Sequence, residues 1–124
     1  MIFNCTGGRK YDILLKPLAE FHREFPFSVV IFTTNINGNS FLAKLTIESA
    51  DLINNMAKHD PEFSSQNLMS SVWTDLTRGS DPVTPIITKT ANDTLNHLKD
   101  CDSILVCGSL HLVGTMMSII KVPI

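Results

Sequence analysis

The chain has 124 residues, 44% hydrophobic and 18% charged, with ten Lys and Arg against twelve Asp and Glu for a net charge of −2. That supports a packed core in one domain, or a piece of a larger one, and argues against wholesale disorder. No basic stripe is present to neutralise phosphates, so nucleic-acid binding is not expected, and no charge pattern points to a membrane surface.

In chain order, "MIFNC" (residues 1–5) reads as a strand and "TGGRKYD" (6–12) as a glycine-rich turn. Leu14, Leu15, Leu18, Phe21 and Phe25 then recur at helical spacing. Pro17 falls inside that pattern, so the helix either starts near it or is kinked there. "FSVVIFTT" (27–34) is the clearest strand: continuous and β-branched, as expected of a parallel strand covered on both faces. "NINGNS" is a turn signal. Residues 43–58 carry helical spacing at Leu45, Ile47, Leu52, Ile53 and Met56, with Ser49 or Asp51 as cap; part of "FLAKLTI" reads equally as extended. Asp60 and Pro61 form a cap and first position for a helix whose apolar face is Leu68, Met69, Val72, Trp73 and Leu76. "RGSDPVTP" (78–85) is a loop. Thr90 with Asp93 resembles an acidic capping box for a helix holding Leu95 and Leu98. "SILVC" (103–107) is the last strand and 109–121 the last helix. Alternating strands and helices imply an α/β layer architecture with a mostly parallel sheet, thin at three strands.

Few residues look reactive. Cys5, Cys101 and Cys107 are odd in number and make no C-x-x-C pair, as reduced thiols of an intracellular protein would. Asn4 and Asn92 begin N-x-T sequons, which matter only in a secreted chain, and "MIF" is too short for a secretory hydrophobic region. Residues 103–120 are largely apolar, but the glycine at the change of period favours a strand, turn and helix over a membrane span. His22, His59, His97 and His111 are scattered, so no metal site is expected. There is no G-x-x-x-x-G-K-[ST] for a triphosphate, no G-x-G-x-x-G after a strand and no G-x-S-x-G. Two strand-to-helix junctions remain, "NCTGGR" and "CGSLH". Ligands of open α/β sheets collect beyond the carboxyl ends of strands. Gly108 permits a sharp turn, Ser109 can cap the following helix, and the helix's free N–H groups favour a carboxylate or phosphate. On the residues alone, Ser109 is a cap or part of an anion seat, His111 a packed helix residue or a ligand contact, and Arg9 a solvated charge or an anion contact.

"IFNCTGGRKYDILLKPL" and "ILVCGSLHLVG" resemble the C-terminal domain of the folylpolyglutamate synthase family, in the Mur ligase superfamily. The family's first motif runs strand, N-x-T-G-D-R, helix; its second is V-x-G-S-L-H-L-V-G-G. "FSVVIFTTNI" and the Trp73 segment sit in family order, and residues 37–81 resemble a variable insertion. The resemblance implies a Rossmann-like fold over residues 1–124, as a partial Mur-ligase-type C-terminal domain. It also implies an activity: ATP- and Mg²⁺-dependent joining of L-glutamate to the γ-carboxylate of tetrahydrofolate polyglutamates, through an acyl phosphate attacked by the glutamate amine. Ser109 and His111 would then lie near the incoming glutamate, and Arg9 would contact nucleotide or another anion; no residue is assigned a catalytic role. Gly8 departs from the family's Asp and Thr115 from its second glycine, and the D-G-A-H segment and Walker loop are absent. The chain is therefore expected to be an N-terminally truncated piece, silent without the ATP-binding domain, in which "MIFNC" has lost a neighbouring strand and exposes an aggregation-prone edge. Family members are monomers of the cytosol or mitochondria. A non-catalytic glutamate-binding or partner-docking module and a dihydrofolate synthase-type ligase are the alternatives.

Overall fold

The structure, a computed structural model, describes residues 1–5, 10–36 and 63–120. Arg9, the expected helix over 43–58 and the Asp60–Pro61 helix start lie outside the described residues.

Four short strands build one all-parallel sheet: β1 (Ile2–Phe3), β2 (Ile31–Phe32), β3 (Ile86–Ile87) and β4 (Val106–Cys107), in the order β3-β2-β1-β4. The α/β reading therefore stands, with flanking helices and a sheet compatible with a Rossmann-like fragment. Two expectations are corrected. The sheet has a fourth strand, because "IITK" pairs with β2 through Ile86 N–H to Val30 O (2.9 Å) and Thr88 N–H to Phe32 O (3.1 Å). Its ladder is too short, and too close behind Pro82 and Pro85, to leave a periodic signal. Nor is β1 an open edge. It is flanked on both sides: Ile31 N–H bonds Met1 O and Ile2 N–H bonds Leu105 O, both at 2.8 Å. Among the described residues the edges are β3 and β4.

Alternation along the strands sends their side chains to two cores. Phe3, Val30 and Phe32 pack on one face with Leu15 and Ala19 of α1 (Tyr11–Glu24) and Met69 and Trp73 of α2 (Ser64–Leu76). Ile2 and Ile31 pack on the other with Ala91 and with Leu112 and Met116 of α3 (Leu110–Ile120). Both faces of "FSVVIFTT" are thus covered, as its unbroken apolar run required.

α1 begins at Tyr11 and continues through Pro17, which lies on the exposed side where the bond it removes is open to water. The expected apolar face turns slightly. Leu15, Ala19 and His22, at i, i+4 and i+7, are buried, whereas Phe21 and Phe25 stay 48% and 62% exposed. On α2, Leu68 likewise faces solvent while Gln66, Met69 and Trp73 go inward. His22 closes this face: Phe27 N–H donates to Nδ1 (2.9 Å), which fixes the tautomer, so Nε2–H donates to Asp81 O (3.0 Å). Phe27 stacks on the imidazole and Trp73 meets its edge. Of the expected Thr90–Asp93 box one bond is present, Asp93 N–H donating to Thr90 Oγ1 at 3.3 Å, and the helix that follows is a 3₁₀ helix (Asn92–His97) with Ala91 at its N-cap rather than an α-helix. No helix among the described residues is long and apolar enough to cross a membrane. Within 103–120 the apolar run resolves into β4, a glycine turn and α3, whose eleven residues are well short of a span.

Candidate functional site

The strand order reverses between β1 and β4. β1 leads through α1 to β2 on one side, while β4 returns on the other side and leads into α3. Because α1 and α3 cover opposite faces, a crevice opens beyond the carboxyl ends of β1 and β4, the switch point at which open α/β sheets bind ligands. An open cleft of about 620 Å³ lies there, lined by Leu14 of α1, residues 106–111 and Val113. That volume suits a small-molecule site.

Gly108 makes the turn possible. Its φ is +97°, and a Cβ built on it would stand 2.2 Å from Asn4 O and 2.8 Å from the Phe3 ring. Only a glycine lets the end of β4 press against the end of β1 and then swing into α3. Ser109 is the N-cap residue through its backbone, its carbonyl accepting the Val113 N–H at 3.1 Å. Its hydroxyl makes no cap bond to another described residue. Ser109, Leu110 and His111 line the cleft, and the N–H groups of the first turn of α3 have no intrahelical acceptors, with the positive end of the helix behind them. His111 lies on the same first turn and is exposed, so of the two roles its position allowed it is not a packed helix residue. Cys107 lines the same cleft half-buried. Burial pushes its thiol above the ordinary range, with the nearby Met1 amine pulling more weakly the other way. A protonated thiol places no competing negative charge beside an anion seat.

The structure thus brings together Ser109 and His111. Their expected companion Arg9, six residues beyond the end of β1, lies outside the described residues, so the junction's β1 side is represented by Asn4 and Cys5. None of Cys5, Cys101 and Cys107 forms a disulfide. Among the described residues no three His, Cys, Asp or Glu gather as metal ligands.

The sequence reading gave no role to a buried polar chain behind the cleft. Asn4, 3% exposed, donates from Nδ2 to Asn35 Oδ1 at 3.0 Å. Gln66 of α2, equally buried, donates from Nε2 to Asn4 Oδ1 (3.2 Å) and Thr33 O (3.0 Å). Thr115 Oγ1 of α3 donates to Asn35 O at 3.2 Å. One signal was readable: Gln66 falls at i and Met69 and Trp73 at i+3 and i+7, a polar residue in line with the buried face of its helix. The burial of Asn4 also removes the first sequon from reach of a glycosylating enzyme in the folded chain.

Comparison with known proteins bears on this geometry. The chain is similar to folylpolyglutamate synthase from Candida albicans. The two are 31% identical over 128 aligned residues, which is 97% of this chain and 24% of the relative. The chain therefore spans about a quarter of the length of the curated relative it matches. No family model and no solved structure matches it.

Proposed function

We propose that the chain carries the glutamate side of a folylpolyglutamate synthase active site, in a domain of the Mur-ligase C-terminal type. The observation that carries this reading is the 31% identity to the Candida albicans enzyme across nearly the whole chain. The switch-point cleft, with Ser109 and His111 at its mouth, supports it independently of sequence similarity.

In this reading a carboxylate of incoming L-glutamate sits at the amino end of α3. It accepts hydrogen bonds from the free N–H groups of the first turn and from the Ser109 hydroxyl, and the helix dipole favours its charge. His111 offers a further ring N–H at the rim. Charge-assisted bonds of this kind are worth about 1.5–3 kcal/mol each, enough to orient a small dicarboxylate. The tetrahydrofolate polyglutamate tail would approach from the open side of the cleft.

The sequence motifs and the described residues do not fit Mg²⁺–ATP. The sequence has no Walker loop, and the described residues hold no cluster of three metal-ligating side chains. No step through the nucleotide is assigned to this chain. Turnover would need a nucleotide-binding domain, and the 124-residue chain alone is expected to be silent. An ATP-dependent glutamylation assay with tetrahydrofolate and L-glutamate tests this, and product above background would overturn it. Calorimetric titration with L-glutamate tests the seat itself: Ser109→Ala should weaken binding about tenfold, the loss of one charge-assisted bond. Equal affinity in both proteins would remove Ser109 from the site.

A partner-docking module is the second reading, favoured by one observation. Leu110 is 90% exposed, and Ile104 and Leu105 just ahead of β4 and Met117 and Ile120 of α3 are exposed as well. Absence of glutamate binding at millimolar concentration would favour that reading over the first.

A further inference from the structure

Gln66, Asn4, Asn35 and Thr115 lie on four different elements or their flanks, yet they form one continuous hydrogen-bonded path. It runs from α2, through the ends of β1 and β2, to α3. Its direction is fixed rather than chosen. Thr33 O can only accept, so the Gln66 atom 3.0 Å from it is the donating Nε2. The same Nε2 then meets Asn4 Oδ1, which leaves Asn4 Nδ2 to donate to Asn35 Oδ1. The Asn35 carbonyl takes the Thr115 hydroxyl.

The path touches the Ser109 turn at two places. Asn4, its second member, has its backbone oxygen against Gly108, and its N–H donates to Cys107 O (3.4 Å). Thr115, its last member, lies on α3 six residues beyond Ser109. Asn4 therefore braces the turn that leads into α3, and Thr115 ties the middle of that helix to the end of β2. Threonine stands at 115 where the resembled motif has a second glycine, so this second hold belongs to the present sequence rather than to the motif. Gln66 also carries an oddity: its Oε1 is buried and has no hydrogen-bond partner among the described residues. A purely stabilising side chain would be better served by an apolar residue there, since an orphaned buried acceptor is costly. What glutamine provides at that position is two donations in fixed directions.

We propose that Gln66 is a positioning residue, acting through Asn4 and Asn35, with Thr115 as the second anchor, to hold the Gly108–Ser109 turn and the first turn of α3 in the orientation that presents the anion seat. The inference rests on the reading of that turn as the glutamate seat, but its geometric part does not. Loss of the path leaves α3 packed through Leu112 and Met116 while its amino end gains freedom.

The test uses the full 124-residue chain with two readouts. The first is the amide resonances and hydrogen exchange of Gly108, Ser109 and Leu110. Gln66→Met keeps length, removes both donations and also removes the orphaned Oε1. Thr115→Val removes only the far anchor and guards against a Gln66 variant that does not fold. Met69→Leu, on the same buried face of α2 but outside the path, is the control. Gln66→Met and Thr115→Val should each shift those resonances and speed exchange about tenfold at the turn, with Met69→Leu leaving them in place. Unmoved resonances in both path variants, or equal shifts in the Met69 control, would overturn the proposal. The second readout is L-glutamate titration, where the two path variants should bind about threefold or more weakly, and wild-type affinity in both would overturn the functional part. If the wild-type chain binds no glutamate, the proposed function fails, and the resonance and exchange data alone decide whether the path positions the turn.

Discussion

A methyl group on residue 108 would sit 2.2 Å from a backbone oxygen of β1, on a backbone with φ of +97°. Neither obstacle has a flexible way out, because the nearest atoms are a main-chain carbonyl and a fully buried ring. Gly108→Ala should therefore cost at least about 1–2 kcal/mol from the backbone conformation alone, and more from the clash, read as a lower midpoint in urea denaturation. Gly79 has a similar φ of +83° but open space around it, so Gly79→Asn should shift that midpoint by about 0.5 kcal/mol or less. Cys107 allows a pH prediction. Its thiol is pushed up in the folded chain, so as pH rises the unfolded chain loses this proton first. The contribution to stability is fully present below the ordinary thiol range and is lost as pH climbs from that range through the thiol's higher folded value. Alkylation of Cys107 by iodoacetamide at mildly alkaline pH should accordingly be several-fold slower in the folded chain than in urea. The sequence showed Gly108 and Ser109 plainly, since a glycine and a cap at a change of period are local signals. Asn4 and Gln66 were hidden because their roles depend on partners 31 and 62 residues away.

α1 and α2 share one buried seam, and its least expected member is His22. An imidazole counts as polar in any hydropathy pattern, so the sequence assigned the face to Phe21 and Phe25 and turned the helix by a fraction of a turn. Packing against Trp73 and Phe27 decided otherwise, because the ring could satisfy both nitrogens on backbone groups at the two ends of the seam. His22→Leu keeps the volume but leaves the Phe27 N–H and the Asp81 carbonyl without their partner. It should cost about 2–4 kcal/mol in chemical denaturation, two unmet groups at 1–3 kcal/mol each less some gain from the apolar side chain. Existence and type of the long helices were readable because their apolar residues repeat. The short strand β3 and the 3₁₀ helix were not, since two paired residues and a single tight turn carry almost no period.

At the scale of the molecule, one sheet serves two cores that share no helix. A single cooperative unit follows if the sheet transmits the loss of one core to the other. Trp73 fluorescence reports the α1–α2 face alone, being the sole tryptophan, whereas far-ultraviolet circular dichroism reports all helices. The two melting curves should coincide, and a dichroism transition trailing the fluorescence would show the faces melting apart. Alternation of strands and helices revealed the α/β class. The order of the strands was not legible, because which strand lies beside which is settled by contacts far apart in the chain, and so β1 was placed at an edge when it lies inside. That interior placement has a consequence for synthesis. β1 leaves the ribosome among the earliest of these residues, but its partner β4 follows about a hundred residues later, roughly 5–20 s at ordinary translation rates. Through that interval one side of a fully buried strand waits unpaired, so the nascent chain, rather than the finished fold, is expected to be the form that needs a chaperone.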